Sequence, residues 1–252
     1  MADDGSPLGE PDVPDSPVRA VEVLPDVSGI DRIFSYSVPA GLADVPVGTV
    51  VRVLLHGRRV RGWVVATGTP PPTEVALRDI IEVVSVGPPS DVVDLCRWGA
   101  WRYAGRLRPL LAAASPPAIV RRLPAPGGVA GAGLAGASAH APASAGAGGA
   151  TPAGEPAGSL AEAVATALSA GDAVVRLPPA AARLPIVLEV LGATRERPGD
   201  PLILVESHAD ARTLARRLVA ERRLVALYPD DWAAAAAGGR VVIGTRNAAL
   251  AP

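Results

Sequence analysis

From residue 18 to 123 the apolar positions fall in short runs rich in Val and Ile. Five of them read as strands, at Val18–Leu24, Ile33–Val38, Thr49–Leu55, Val60–Ala66 and Ile80–Val86, separated by Gly, Pro and Asp clusters. Gly57-Arg58-Arg59 makes a tight connection between the third and fourth runs and predicts a hairpin with Arg at its tip. Several short strands at this spacing predict a small antiparallel barrel or sandwich. A helix follows over Asp91–Ala104, with Ser90 as N-cap and Val92, Leu95, Gly99 and Tyr103 as its apolar stripe. A second helix over Leu107–Ala114 stops at Pro116-Pro117.

The pattern then lapses. In residues 124–158, Ala, Gly, Pro, Ser and Thr fill 31 of 35 positions, which leaves almost nothing to bury and predicts a flexible linker. From Ser159 the period changes to helix and strand in alternation. Helices are predicted at Leu160–Leu168, Arg183–Gly192 and Ala209–Arg223, and strands at Ala173–Leu177, Leu202–Glu206, Leu224–Tyr228 and Arg240–Thr245. Alternation of this kind predicts a parallel α/β sheet. In the last helix Leu214 and Leu218 face inward and Arg216 and Arg217 outward.

Charge divides along the same lines. Residues 1–17 carry five acids and no base and read as a disordered acidic tail; residues 18–123 carry thirteen Arg against nine acids. That balance permits nucleic-acid binding without demanding it. Every basic residue is Arg, so the chain can form neither a lysine Schiff base nor a P-loop lysine contact. The single Cys96 excludes an internal disulfide and a multi-cysteine zinc site, and its helical position suits a small core residue. No apolar run is long enough to span a membrane as a helix, and the acidic, Pro-rich N-terminus is the opposite of a signal peptide. A cytoplasmic location, associated with the nucleoid if DNA is the partner, is expected.

The chain's one phenylalanine lies in Gly29-Ile30-Asp31-Arg32-Ile33-Phe34-Ser35-Tyr36-Ser37-Val38-Pro39. This stretch resembles a motif of the N-terminal DNA-binding domain of the primosomal protein N′ (PriA) family of replication-restart helicases. The resemblance continues for about a hundred residues. It implies that Phe34, Ser35, Gly57 and Arg78 form a pocket for the 3′ end of a nascent strand. Phe34 would supply a stacking face, Gly57 a close backbone approach and Arg78 a grip on phosphate. On the residues alone, Phe34 is a core side chain and Arg78 a solvated one; the resemblance favours the pocket. The family normally has Asp where Ser35 stands, so a hydroxyl replaces a carboxylate. Arg58, Arg59 and Arg61 on the hairpin suit phosphate contact, or simply make a charged turn.

Residues 159–252 resemble the start of a superfamily 2 helicase motor, an incomplete RecA-like α/β domain. The stretch aligned with its P-loop, Val174 to Pro185, has lost every P-loop Gly. Arg183 stands at the Lys position and Leu184 at the magnesium-ligating Thr. Arg240-Val241-Val242-Ile243-Gly244-Thr245-Arg246 resembles a strand-to-loop motif whose Thr245 and Arg246 would contact the DNA backbone. The scheme expected is therefore a tail at 1–17, a 3′-end DNA-binding domain at 18–123, a linker at 124–158 and a degenerate motor domain at 159–252. The expected function is DNA binding at stalled or abandoned forks in replication restart, with no catalytic residue, metal or cofactor. The family's ATP, magnesium and zinc lack their residues here. Expected partners are forked or single-stranded DNA, primosome proteins and single-stranded DNA-binding protein. Two alternatives stand beside it: a truncated ATP-dependent 3′–5′ DNA helicase, and a non-catalytic scaffold for restart factors.

Overall fold

The structure, a computed structural model, describes residues 19–42, 44–68, 76–127, 159–177 and 181–252. The expected acidic tail, nearly all of the expected linker and residues 178–180 of the P-loop stretch lie outside the described residues. Two compact units divide between Val84 and Ser85.

The first unit is a five-stranded sheet in the order β2-β1-β4-β3-β5, formed by β1 (Ala20–Pro25), β2 (Phe34–Ser37), β3 (Val50–Leu55), β4 (Arg58–Thr67) and β5 (Glu82–Ser85). β1 pairs antiparallel with β2 and β4, and β3 with β4. Alternate Val residues of these strands point to one side and build a core from Val21, Val23, Val51, Val53 and Val64, with Tyr36 and Ile80. The sheet curls strongly. Tyr36 on β2 donates its hydroxyl to the Leu54 carbonyl of β3 at 3.2 Å, although two strands lie between them in the sheet. The edges meet at one bridge, Ser37 with Asp79, where Ser37 N donates to Arg78 O and Ile80 N to Ser37 O, both at 2.9 Å. The expected barrel is thus an open sheet: the last residue of β2 makes a single bridge to Asp79, which lies before β5, and no ladder joins β2 to β5 among the described residues.

Gly62 is needed where β4 crosses β1. A Cβ there would lie 2.6 Å from Val23 Cγ1 and 2.7 Å from the Leu24 carbonyl oxygen, beside the register shift at Glu22/Val23.

The second unit begins with α1 (Ser90–Arg102) and α2 (Leu107–Ala114). Ser90 is inside α1, not its cap; Pro89 holds the N-cap position and makes no side-chain cap bond. The apolar stripe also differs. Val92, Val93 and Cys96 are buried, whereas Leu95 and Tyr103 are exposed. The helix has turned to set Gly99 against α2, where a Cβ would stand 3.3 Å from Leu110 Cδ1.

After α3 (Leu160–Ser169), capped reciprocally by Ser159 and Glu162, and α4 (Arg183–Ala193), come β6 (Leu202–Leu204), α5 (His208–Ala220), β7 (Val225–Leu227), α6 (Trp232–Ala237) and β8 (Val241–Gly244). The three strands form a parallel sheet in the order β6-β8-β7. Its faces carry two clusters, one on Leu218, Leu227 and Ile243 and one on Tyr228, Trp232 and Val242. Leu218 is buried and Leu214 packs beside it, as the periodicity of α5 predicts. The strand expected at Ala173–Leu177 does not form. These residues have no ladder partner, and Val174 is 98% exposed. Helix α6 is not among the helices the pattern predicts, since one Trp before five Ala has no amphipathic period, although Ala is the strongest helix former.

The sequence reading groups α1 and α2 with the N-terminal domain and divides the chain at a linker. Compactness divides it elsewhere, for a visible reason. Tyr228 donates its hydroxyl to Ala113 O at 2.5 Å, and Trp232 donates Nε1 to Ala114 O at 2.7 Å. These two aromatics tie the end of α2 to the parallel sheet.

Candidate nucleic-acid interface

Strand β2 is an edge strand, and its side chains alternate between two faces. Phe34 and Tyr36 lie on the core face. Tyr36 is buried; Phe34 is half-buried against the same cluster. Over its ring stands the Arg32 guanidinium, 5.6 Å from the centroid. Phe34 therefore serves partly as core and partly as a surface capped by a cation. A base stacking there would displace Arg32 or lie against it. Arg32 was not singled out from the sequence. The signal was present, since a residue two before another in an extended chain lies on the same side.

Ser35 falls on the opposite face of β2, in register with Glu22. One ligand reaches both Phe34 and Ser35 only at the strand edge. Arg78 is exposed, and its carbonyl is bonded to Ser37 N, which draws it to the end of β2. Its charge is felt by Tyr36. Burial pushes that phenol up from its ordinary value, and the Arg78 guanidinium draws it part of the way back. The structure thus gathers Phe34, Arg32, Tyr36 and Arg78 about one strand.

Gly57 sits in the two-residue turn between β3 and β4. His56 and Gly57 both have positive φ, 48° and 79°, the pattern of a type I′ hairpin turn. Nothing lies within 4 Å of a Cβ at Gly57, so the turn's φ, rather than crowding, calls for glycine. The Tyr36–Leu54 hydrogen bond brings the turn end of this hairpin to β2. Arg58, Arg59 and Arg61 are exposed on β4. Arg61 faces Asp26 at 3.6 Å, while among the described residues Arg58 and Arg59 join no ion pair.

In the second unit a cleft of about 930 Å³ opens at the C-terminal end of β6. Arg183, Leu184, Arg217 and Arg246 line it, with Glu206 and Asp210. Arg183 and Leu184, adjacent in the sequence, and Arg246, remote from both, so come to one place. Thr245 is half-buried and outside the lining; its carbonyl accepts from Ala248 N at 2.8 Å as the chain turns into a 3-10 helix (Arg246–Leu250). Gly244 permits that turn, for a Cβ would stand 2.6 Å from Ala248 Cβ. Among the described residues no three His, Cys, Asp or Glu group as metal ligands, and no helix is long and apolar enough to cross a membrane.

Residues 22–116 match the 3′ DNA-binding domain (3′BD) of PriA. The match runs from within β1 to just past α2, so it takes in all five strands and both following helices, across the division between the compact units. The match suggests DNA binding for this part of the chain. The α/β sheet lies outside the matched residues. No curated protein matches the chain.

Proposed function

We propose that this protein binds the 3′ end of a DNA strand at a stalled or abandoned replication fork and acts in replication restart without unwinding DNA itself. The match of residues 22–116 to the PriA 3′ DNA-binding domain carries this reading. The gathering of Phe34, Arg32 and Arg78 at one edge strand supports the choice of pocket. In the mechanism, Phe34 stacks on the terminal nucleotide, Arg78 holds a phosphate, and Ser35 reaches the terminal hydroxyl round the strand edge. Arg58, Arg59 and Arg61 contact the duplex backbone in a salt-sensitive way. The partners proposed are forked DNA and, through it, the proteins of the primosome.

The proposed lack of motor activity rests on residue chemistry. Phosphate cradling in a P-loop needs glycines for close backbone approach and a lysine, and the chain has no lysine at all. The cleft beside Arg183 and Arg246 is read as a site for DNA phosphate in place of nucleotide.

The test compares forks carrying a free 3′-hydroxyl or a 3′-phosphate at the junction. The parent should favour the free end, and Phe34→Ala should erase that preference, with a loss of ~1–3 kcal/mol if the ring stacks on a base. Equal binding of the two forks by the parent would refute the pocket. Saturable micromolar binding of an ATP analogue with magnesium would refute the non-motor reading.

A further inference from the structure

The end of α1 presents an aromatic surface that the 3′-end pocket does not use. Trp98, Trp101 and Tyr103 are 51%, 77% and 74% exposed, among the highest values for large apolar side chains of the described residues. The chain has only eight aromatic residues, so three unburied within six positions calls for a cause. The rings are arranged. Trp98 and Tyr103 meet edge to face with centroids 6.2 Å apart, and the Arg102 guanidinium stands 5.6 Å from the Tyr103 centroid. The platform is firm beneath. Tyr103 N bonds to Gly99 O at 3.1 Å and Gly105 N to Ala100 O at 2.8 Å, closing the helix end, and Gly99 packs close on α2 from the other side.

Around it Arg outnumbers acid, although Asp94 stands one turn before Trp98 on α1. From Leu95 to Leu123 there are six Arg and no acidic residue. Arg97 is engaged with Asp94 at 3.3 Å, while Arg102 is exposed over the Tyr103 ring and Arg106 is exposed three residues after Tyr103, at the start of α2. Ring faces alternating with guanidiniums match a chain of alternating bases and phosphates. An acidic peptide would call on the guanidiniums and leave the rings unexplained.

We propose that Trp98, Trp101 and Tyr103, with Arg102 and Arg106, form a platform for single-stranded DNA, bound by base stacking and backbone charge without need of a strand end. It would hold unpaired DNA independently of the Phe34 pocket, and it does not rest on that pocket's existence.

The chain's four tryptophans make the test direct. Trp63 and Trp232 are 4% and 1% exposed, so quenching of fluorescence on DNA binding reports Trp98 and Trp101. The probe is a covalently closed circle of oligo(dT), which has no 3′ end, titrated into the full chain. Quenching should saturate, and Phe34→Ala should leave it unchanged. Trp101→Ala, at an exposed position, should keep the parent's circular dichroism and weaken binding at least about five-fold, while Trp101→Phe keeps most of it. Arg106→Ala should weaken it further at low salt than at high. The proposal fails if the circle does not quench, or if Trp101→Ala binds it as the parent does. It fails equally if an acidic peptide quenches and the circle does not, for the surface would then be a protein dock. Binding of linear 3′-hydroxyl DNA alone would leave the end pocket standing and remove this platform.

Discussion

The two sheets of this protein are held together in different ways. In the first unit, paired strands of six residues or more, β1, β3 and β4, set rows of Val against one another, and nine buried side chains share the core. In the second, strands of three or four residues pack on one face against Leu and Val of α4 and α5, and on the other against the Ala-rich α6, where little area is buried per residue. There the load falls on a few large side chains. Trp232 and Tyr228 are almost wholly buried, and each donates its polar atom to a carbonyl at the end of α2. A valine-built sheet spreads its stability over many small contributions, whereas an alanine-built face concentrates it. The first arrangement also frees its edge strand for a ligand, since no residue of β2 except Tyr36 is indispensable to the core by size.

Trp232→Ala is expected to break the comparison open most widely. It removes the largest buried side chain of the second unit and leaves the Ala114 carbonyl without its donor, at a cost of ~3–5 kcal/mol. Hydrogen exchange should show amides of 202–244 losing protection while those of 20–67 keep theirs. Equal loss in both would mean that the two units unfold as one.

Alkaline pH should single out the same unit. Burial pushes the Cys96 thiol up from 9.0 to about 11, and burial together with the nearby Cys96 pushes the Tyr228 phenol up from 10.0 to about 12. Both groups are neutral when protonated, and both bind their proton more tightly folded than unfolded. Their contribution is therefore full below about pH 9 and is lost as pH rises from there to about 12. Denaturation midpoints of the second unit should fall across that window, and Cys96 should react with a thiol reagent at pH 8 only after unfolding. Rapid labelling of the folded protein would contradict its burial.

Gly62→Ala tests the first unit at its tightest point. The new methyl meets a backbone carbonyl that cannot rotate away, and should cost ~1–3 kcal/mol by urea denaturation. A neutral result would show that the β1–β4 crossing yields more easily than the Val rows suggest. The smallest effect on stability, and the sharpest on function, belongs to Arg78→Ala. Its side chain is exposed, so the fold should be unchanged, while the salt dependence of DNA affinity should fall by about one unit of slope. An unaltered slope would remove Arg78 from the phosphate contact.

Pattern alone placed the five β runs of the first unit within about two residues at each end, and α2 to the residue, because alternation and proline stops act over a few positions. It also marked Phe34, through its motif, and the loss of lysine chemistry, which no fold can restore. It placed a strand at 173–177, where apolar residues have the right character but no neighbour to pair with, and strand structure needs a partner strand. It put Leu95 and Tyr103 in the core, since a helical period tells that a face is apolar and not which neighbour will cover it. Those choices are made by contacts distant in sequence. The ties from Tyr228 and Trp232 to α2 span more than a hundred residues, the cleft draws Arg246 to Arg183, and the curl of the sheet carries Arg78 to β2. Local chemistry set what each segment can become; packing between remote segments decided which faces were buried, and so which aromatic rings and guanidiniums were left exposed.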